Sequence, residues 1–262
     1  MRKNKVRIAD ILVIVLVLLF VYLPIVSLIV FSFNSDNSLT NFKSFSFKWY
    51  GELFRDEAIM EAVIMTFVIA IIATIISTII GTFASIALAR RKKRFRNTIL
   101  TLNNIPIVNP EIVTAIGMLL LFQSMKFEKG YFTMLLAHIA FCIPYVIITV
   151  YPKVRSLDPN LVEAAMDLGA TPIKALRHAI LPQINVAVVA AIAISFTMSF
   201  DDFVISYFTA GSKTNISIYL YTLKRGVNPS INALSTIMIL VISVVVAINY
   251  LRTIKQVKKE EV

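Results

Sequence analysis

The chain has 262 residues, of which 58% are hydrophobic, with a mean hydropathy of +0.79 and a formal net charge of +11. Soluble globular domains carry an apolar share of roughly 45–50%, so this composition excludes an ordinary soluble enzyme or binding module and points to a membrane protein. In so apolar a chain the basic excess suits anionic lipid head groups rather than nucleic acid. The single cysteine, Cys142, lies in an apolar run and leaves neither a disulfide framework nor a Cys/His metal pattern.

Arg2, Lys3, Lys5 and Arg7 precede a first predicted span at 9–31, in which Ile11 to Phe31 carry no charge. At about 1.5 Å per residue such a helix crosses a hydrocarbon core of roughly 30 Å. A secretory signal has a shorter apolar region, roughly 7–15 residues, and FSFNSDNS offers no small-x-small cleavage pattern, so a retained span is expected. A polar stretch from Asn34 to Glu57 follows, with Trp49 and Tyr50 as expected interface aromatics. The second span, 62–89, is uncharged, and its Gly81, Ala84, Ser85 and Ala89 permit close helix contact on one side. RRKKRFR, Arg90 to Arg96, is then a basic anchor.

The third span, 99–125, contains Pro106, Pro110 and one charge, Glu111; a break is expected at Pro106, with Asn109-Pro110-Glu111 restarting the helix. The fourth, 131–152, holds His138 and Pro144. The fifth, 179–200, ends at Asp201-Asp202, and the sixth, 231–251, is followed by Arg252, Lys255, Lys258 and Lys259. Residues 1–262 are therefore expected to form one all-α transmembrane domain. Six spans put both termini on one side. Of the Lys and Arg residues, four precede the first span, six follow the second, four lie between the fourth and fifth and four close the chain, against eight on the other side. That asymmetry places the termini and the 153–182 loop in the cytoplasm of a multi-pass cell-membrane protein.

Within that loop, Asp158-Pro159 reads as N-cap and first helical residue. Leu161, Ala164, Ala165 and Leu168 fall on one predicted apolar face, and Gly169 ends the helix as a C′ residue. Thr171-Pro172 repeats the cap signal and starts a second short helix that carries Ile173, Leu176 and Ile180 toward Pro182.

Glu163-Ala164-Ala165, Gly169 six positions after the Glu, and Leu181-Pro182 resemble the EAA loop of permease subunits of binding-protein-dependent ABC importers. The family usually has Ile two residues before the Leu, where this chain has Ala179. The resemblance implies a type I (MetI-like) importer domain of six transmembrane helices, with a cytoplasmic coupling helix in which Glu163, Ala164, Ala165, Asp167, Gly169, Leu181 and Pro182 meet an ATPase. It further implies a dimer of ATP-binding subunits that uses ATP and Mg, a second homologous permease and an extracytoplasmic binding protein. No Walker A pattern occurs, so the chain is not expected to bind nucleotide or to be an enzyme, and no catalytic or metal site is expected.

An ionised group inside a span costs on the order of 3 kcal/mol and usually faces a cavity or a partner. Glu111, Asp201, Asp202 and His138 are accordingly the candidates for the substrate path, and Tyr145, Tyr151, Tyr207 and Tyr219 are candidates for cation–π contact. Acids without an intramembrane Lys or Arg favour a cationic cargo. NPEIV (109–113), AHIAFCIPYVIITVY (137–151), SFTMSFDDFVIS (195–206) and GVNPSINALSTI (226–237) are similar to segments of the second permease subunit of spermidine/putrescine importers. That similarity implies polyamine import. The alternatives are an importer for another solute, or an ion-coupled secondary transporter with Glu111 and His138 as a proton relay.

Overall fold

The structure is a computed structural model that describes residues 8–38, 40–223 and 229–260. Its elements are helical, and the single extended pairing among the described residues is an isolated bridge between Asn34 and Phe45. The chain divides into two compact units, Met1–Met60 with Leu223–Val262, and Glu61–Thr222.

The first unit contains α1 (Ile8–Ser32), α2 (Lys48–Arg55) and α12 (Pro229–Glu260), with α12 packed on both α1 and α2. The apolar stretch of α1 is exposed along its length, as a lipid-facing helix is. The connection from α1 to α2 is organised by buried Asn34. Its amide donates to the carbonyls of Ser38 (3.0 Å) and Asn41 (2.9 Å), and its oxygen accepts from the Lys43 N–H (2.9 Å). Trp49, one of the two expected interface aromatics, is buried within the protein. Its indole N–H donates to the Asn34 carbonyl and the ring is buried, while Tyr50 meets the Ser32 hydroxyl at 2.8 Å. A buried indole must find an acceptor, and the polar loop supplies one.

The second unit begins within α3 (Glu57–Ala89). One face of α3 is small and buried, with Ala70, Ala73, Ser77, Gly81 and Ser85 along it. At Gly81 a Cβ would collide with Val146 of α6 (Tyr131–Arg155), so glycine sets how closely these helices approach. Small residues matter here because lipid supplies no hydrophobic drive between helices, leaving packing to hold them. Ile86, Val146, Val150, Val154, Ile180 and Ile184 then close a common core at the C-terminal ends of α3 and α6.

α4 (Lys93–Val108) and α5 (Glu111–Ser124) form a broken pair bent by 106°. The helix continues through Pro106 and breaks instead at Asn109-Pro110, contrary to the sequence expectation. Asn109 is extended (ψ 146°), as the residue before a proline prefers, and Pro110 (ψ 132°) leads into the first turn of α5.

α7 (Leu161–Asp167) begins two residues later than Asp158-Pro159 suggested, because Asp158 caps a turn through the Asn160 N–H (2.9 Å). α8 (Pro172–Ala175) carries the expected Thr171 cap, whose hydroxyl accepts from the Lys174 N–H at 3.4 Å. It does not end as a separate helix. A π-helical turn at Leu176–Ile180 joins it to α9 (Leu181–Phe200), giving one apolar helix over Pro172–Phe200. Pro182 lacks an N–H and crowds the preceding turn, and a widened turn just ahead of it is a local adjustment to that defect. α10 (Val204–Thr209) and α11 (Ile216–Thr222) complete the unit.

Four single helices are long and apolar enough to cross a membrane, and a fifth crossing is obtained when α4 and α5 count as one span. α12 has 32 residues, its described apolar part being Pro229–Val244, and the rest of the expected 231–251 span lies outside the residues with described side chains.

Gly211 gives a direct test of the packing. Its φ is +64°, and a Cβ there would collide with the Lys129 carbonyl between α5 and α6. Gly211→Ala combines backbone strain with overpacking, roughly 1–3 kcal/mol. A drop of about 5 °C in the thermal unfolding midpoint of the detergent-solubilised protein is expected, against none for Gly51→Ala, whose Cβ meets nothing.

Candidate functional site

Two chain breaks meet in the second unit. One is the Asn109-Pro110 corner that starts α5. The other is the irregular backbone at Asp201-Asp202, where α9 gives way to α10, and α10 packs against both α5 and α6. Backbone that leaves the helix between apolar spans must recover its hydrogen bonds inside the protein. Asp202 supplies them. Its carboxylate accepts from the Ile205 N–H (3.1 Å), the Ser206 N–H (2.8 Å) and the Ser206 hydroxyl (2.8 Å), fixing the first turn of α10.

His138, buried on α6, holds the same carboxylate through Nε2 at 3.3 Å and approaches the Ser206 hydroxyl at 2.9 Å. Its Nδ1 meets the Ser199 hydroxyl of α9 at 2.7 Å. Asn215 closes the knot, donating to the Ser206 hydroxyl (2.9 Å) and the Asp202 carbonyl (3.3 Å) while accepting from the Ile218 N–H (2.9 Å). With Asp202 ionised, the proton order follows. The Ser206 hydroxyl gives its one proton to Asp202 and accepts from Asn215, so the second bond it accepts must come from a His138 Nε2–H. Ser199 can then donate to an unprotonated Nδ1, and neutral His138 satisfies every member.

Of the candidates read from sequence, Asp202 and His138 are thus joined within 3.3 Å and are both buried. Glu111 is half-buried at the start of α5, its carboxyl near those of Asp202 and Asp201. Asp201 is exposed. Tyr145 flanks Glu111 and packs on Phe141, with centroids 5.4 Å apart. Three acids from two distant stretches therefore converge at one corner.

Beside them lies an aromatic face that joins one of the sequence candidates, Tyr207, to Phe203 and Tyr221, which the sequence did not single out. Phe203 packs on Tyr221 (4.7 Å between centroids) and on Tyr207 (5.4 Å), and Tyr207 meets Tyr221 at 5.6 Å. Tyr207 is 49% and Tyr221 66% exposed. Carboxylates next to aromatic rings are chemistry that suits organic cations, each ring contact being worth roughly 0.5–2 kcal/mol. Among the described residues no group of three His, Cys, Asp or Glu has a metal-binding arrangement.

The loop residues gather elsewhere. Gly169 takes φ +86°, and the Ala170 N–H bonds back to the Ala165 carbonyl (3.1 Å) as in a Schellman stop. The predicted apolar stripe of α7 is divided. Leu161 and Val162 pack on the core with Ile180, whereas Leu168 (90% exposed), Met166 (44%) and Ile173 (77%) point away from it around the glycine corner. Leu168 leaves the stripe because the helix stops at Asp167 and the corner turns it outward. Glu163, Ala164, Asp167 and Pro182 are exposed, Ala165 and Leu181 are half-buried, and Glu163 borders a cavity that Ile86 and Ile180 also line.

The description "binding-protein-dependent transport system inner membrane component" matches residues 77–256. The chain belongs to this family. It is 38% identical to the spermidine/putrescine transport system permease protein PotC of Haemophilus influenzae over 90% of this chain and 93% of that protein. It is 37% identical to the putrescine transport system permease protein PotI of Escherichia coli, over 86% and 84% respectively. A bacterial ABC transporter involved in the import of the acidic polysaccharide alginate has the same fold, with a TM-score of 0.74 at 15% identity over 94% of this permease and 95% of that chain. The same likeness extends to an alginate transporter solved with a pentasaccharide-bound periplasmic protein (TM-score 0.67, 17% identity, 91% and 89% covered). The permease is accordingly a helical, multi-pass membrane component of a transporter.

The knot and the half-buried acid separate by mutation. His138→Leu removes one of the donors to the buried Asp202 carboxylate and leaves the Ser199 hydroxyl without its ring partner, a loss of about 2–3 kcal/mol. Glu111→Gln keeps the shape of a half-buried group and changes stability by less than about 1 kcal/mol. Thermal unfolding of the two variants in one detergent is expected to show a marked loss for the first and almost none for the second.

Proposed function

We propose that this permease lines the path of an ATP-driven importer for a polyamine such as spermidine or putrescine, and that Glu111, Asp201 and Asp202, with the Tyr207–Tyr221 face, form its cation contacts. The observation that carries the reading is the convergence of three carboxylates beside exposed aromatic rings at the break of a span. The names borne by the relatives support the same cargo class. An extended polyamine presents separated ammonium groups on an apolar stem, which suits carboxylates spaced along a corner and rings that cover methylenes. Asp202, already bonded to α10 and His138, acts mainly through its field, whereas Glu111 and Asp201 are available for direct contact. Contacts of this strength release cargo readily.

The energy is supplied by partner chains. A dimer of ATP-binding subunits, which uses ATP and Mg, docks on the exposed Leu168, Met166 and Ile173 around the Gly169 corner. A second permease completes the path, and an extracytoplasmic binding protein delivers the cargo. Both termini and the 153–182 loop lie in the cytoplasm, in keeping with the charge asymmetry of the loops. The continuous helix from Pro172 to Phe200 supports the coupling role, since one rigid element runs from the docking corner to Asp201-Asp202.

Uptake of labelled spermidine and putrescine in cells lacking this gene, with the gene then restored, tests the cargo. Loss and recovery are expected, with Glu111→Gln and Asp201→Asn each lowering uptake at least tenfold while the protein stays in the membrane. Unchanged uptake in a strain without another polyamine importer contradicts the assignment.

Coupling has a separate test. Leu168→Asp places a charge on the docking face without touching the core, and Gly169→Glu adds both a charge and strain at φ +86°. Both are expected to abolish uptake while leaving chain abundance in the membrane at the wild-type level.

A further inference from the structure

α4 packs on α6, where the Asn103 amide donates to the Pro144 carbonyl at 3.3 Å. α6 is long and apolar enough to cross a membrane and Pro144 is near its midpoint, so this bond sets the second half of α4 at the depth of the hydrocarbon. Asn103 is the inward residue. On the other side of α4, Asn97, Thr101 and Asn104 are exposed, and at about 100° per residue they share one narrow face with Val108. Thr101 and Asn104 are within about 3 Å of Asn103 along the helix axis. The side-chain hydrogen bonds of α4 among the described residues are those of Thr98 and Asn103, which leaves Asn97, Thr101 and Asn104 without partners.

The two exposed flanks of α4 differ in chemistry. Thr98, Leu102 and Ile105 fall together about 100° round the helix from the amide face. There the one polar group is withdrawn, since Thr98 returns its hydroxyl to the Arg94 carbonyl at 3.1 Å. That flank suits lipid. The Thr101 hydroxyl and the Asn104 amide make no such return, and an amide facing hydrocarbon has no group to bond, so water or cargo must meet them. Exposed Val108 and Asn109 carry the chain from this face to the break, and Glu111 stands directly beyond it. Broken helices are where transporters build such polar passages. We infer that Asn97, Thr101 and Asn104 line the limb of the cargo path that leads from Glu111 toward the N-terminal end of α4. The limb depends on Glu111 being a cation contact of the path, as proposed above, and supplies the contacts that follow it. Its hydroxyl and amide oxygens accept from an ammonium group but carry no charge, so a cation that has left the carboxylates is solvated there without being trapped.

The test makes Thr101→Cys, Asn104→Cys, Leu102→Cys and Ile105→Cys singly in the full-length Cys142→Ser chain. Each is treated, in the assembled transporter in membrane vesicles open to reagent on both faces, with a small, water-soluble, positively charged thiol reagent. Thiols at 101 and 104 are expected to react at least tenfold faster than those at 102 and 105, and spermidine is expected to slow the first pair several-fold. Asn104→Leu should lower spermidine uptake at least fivefold at unchanged abundance in the membrane, whereas Asn104→Gln, which keeps an amide, should retain most of it. Equal rates at the four positions, faster reaction at 102 and 105, or undiminished uptake by Asn104→Leu overturns the inference. So do unreactive thiols at 101 and 104, the result of a second permease packed on this face; if spermidine then still protects the thiol of Glu111→Cys, the limb fails and the proposed cargo stands. Reactive thiols at 101 and 104 that spermidine does not slow also overturn it, and if the thiol of Glu111→Cys is equally indifferent, the cargo assignment falls as well.

Discussion

The constraint on which the second unit depends is that backbone leaving a helix among apolar spans has no water to bond. The chain leaves its helices at Asn109-Pro110 and again between Phe200 and Val204. A single buried carboxylate, Asp202, answers the second break by bonding two N–H groups of α10, and His138, Ser199, Ser206 and Asn215 secure it from three neighbouring elements. An unpaired buried carboxylate would cost several kcal/mol, whereas a fully bonded one costs little and fixes one geometry. The same knot brings the start of α5 against the end of α9, and so places Glu111 beside Asp202. The structural anchor and the acidic corner are consequences of one arrangement.

A division of labour among similar residues follows. Asp201 and Asp202 are adjacent in sequence, yet one is exposed and the other is buried in a saturated network. The first reaches the surface, and the second holds the fold while contributing charge to the corner. His138 belongs with the second. Its ring bonds Ser199, Ser206 and Asp202, a pattern that explains a histidine inside a span without a proton relay. At the far end of α9 the exposed Leu168 and Ile173 and the positive φ of Gly169 make a surface corner rather than a core.

Local signals were legible in the sequence wherever one residue decides one backbone conformation. Gly169 stopped α7, Thr171-Pro172 started α8, and the long apolar runs became long helices. Proline positions were less transparent. Pro106 stays inside α4 while Pro110 marks the break, and Pro182 is absorbed by a π turn instead of separating two helices. The choice depends on neighbouring packing, which a single proline does not encode. The burial of Trp49 was not legible, since its partner Asn34 lies 15 residues away in a polar loop. Among the acids, composition and position singled out Glu111, Asp201 and Asp202, yet no spacing linked Glu111 to residues some ninety positions later. Tyr221 and Asn215 escaped notice because their partners come from other helices.

The central claim is that Glu111 faces a path taken by organic cations. It is tested most directly by replacing Cys142 with serine, placing a single cysteine at 111 and measuring its reaction with a positively charged thiol reagent in the assembled, energised transporter, with and without spermidine. The account predicts that the thiol reacts and that spermidine slows the reaction several-fold. A thiol that is unreactive in the energised transporter, or one whose reaction is indifferent to spermidine, would contradict it.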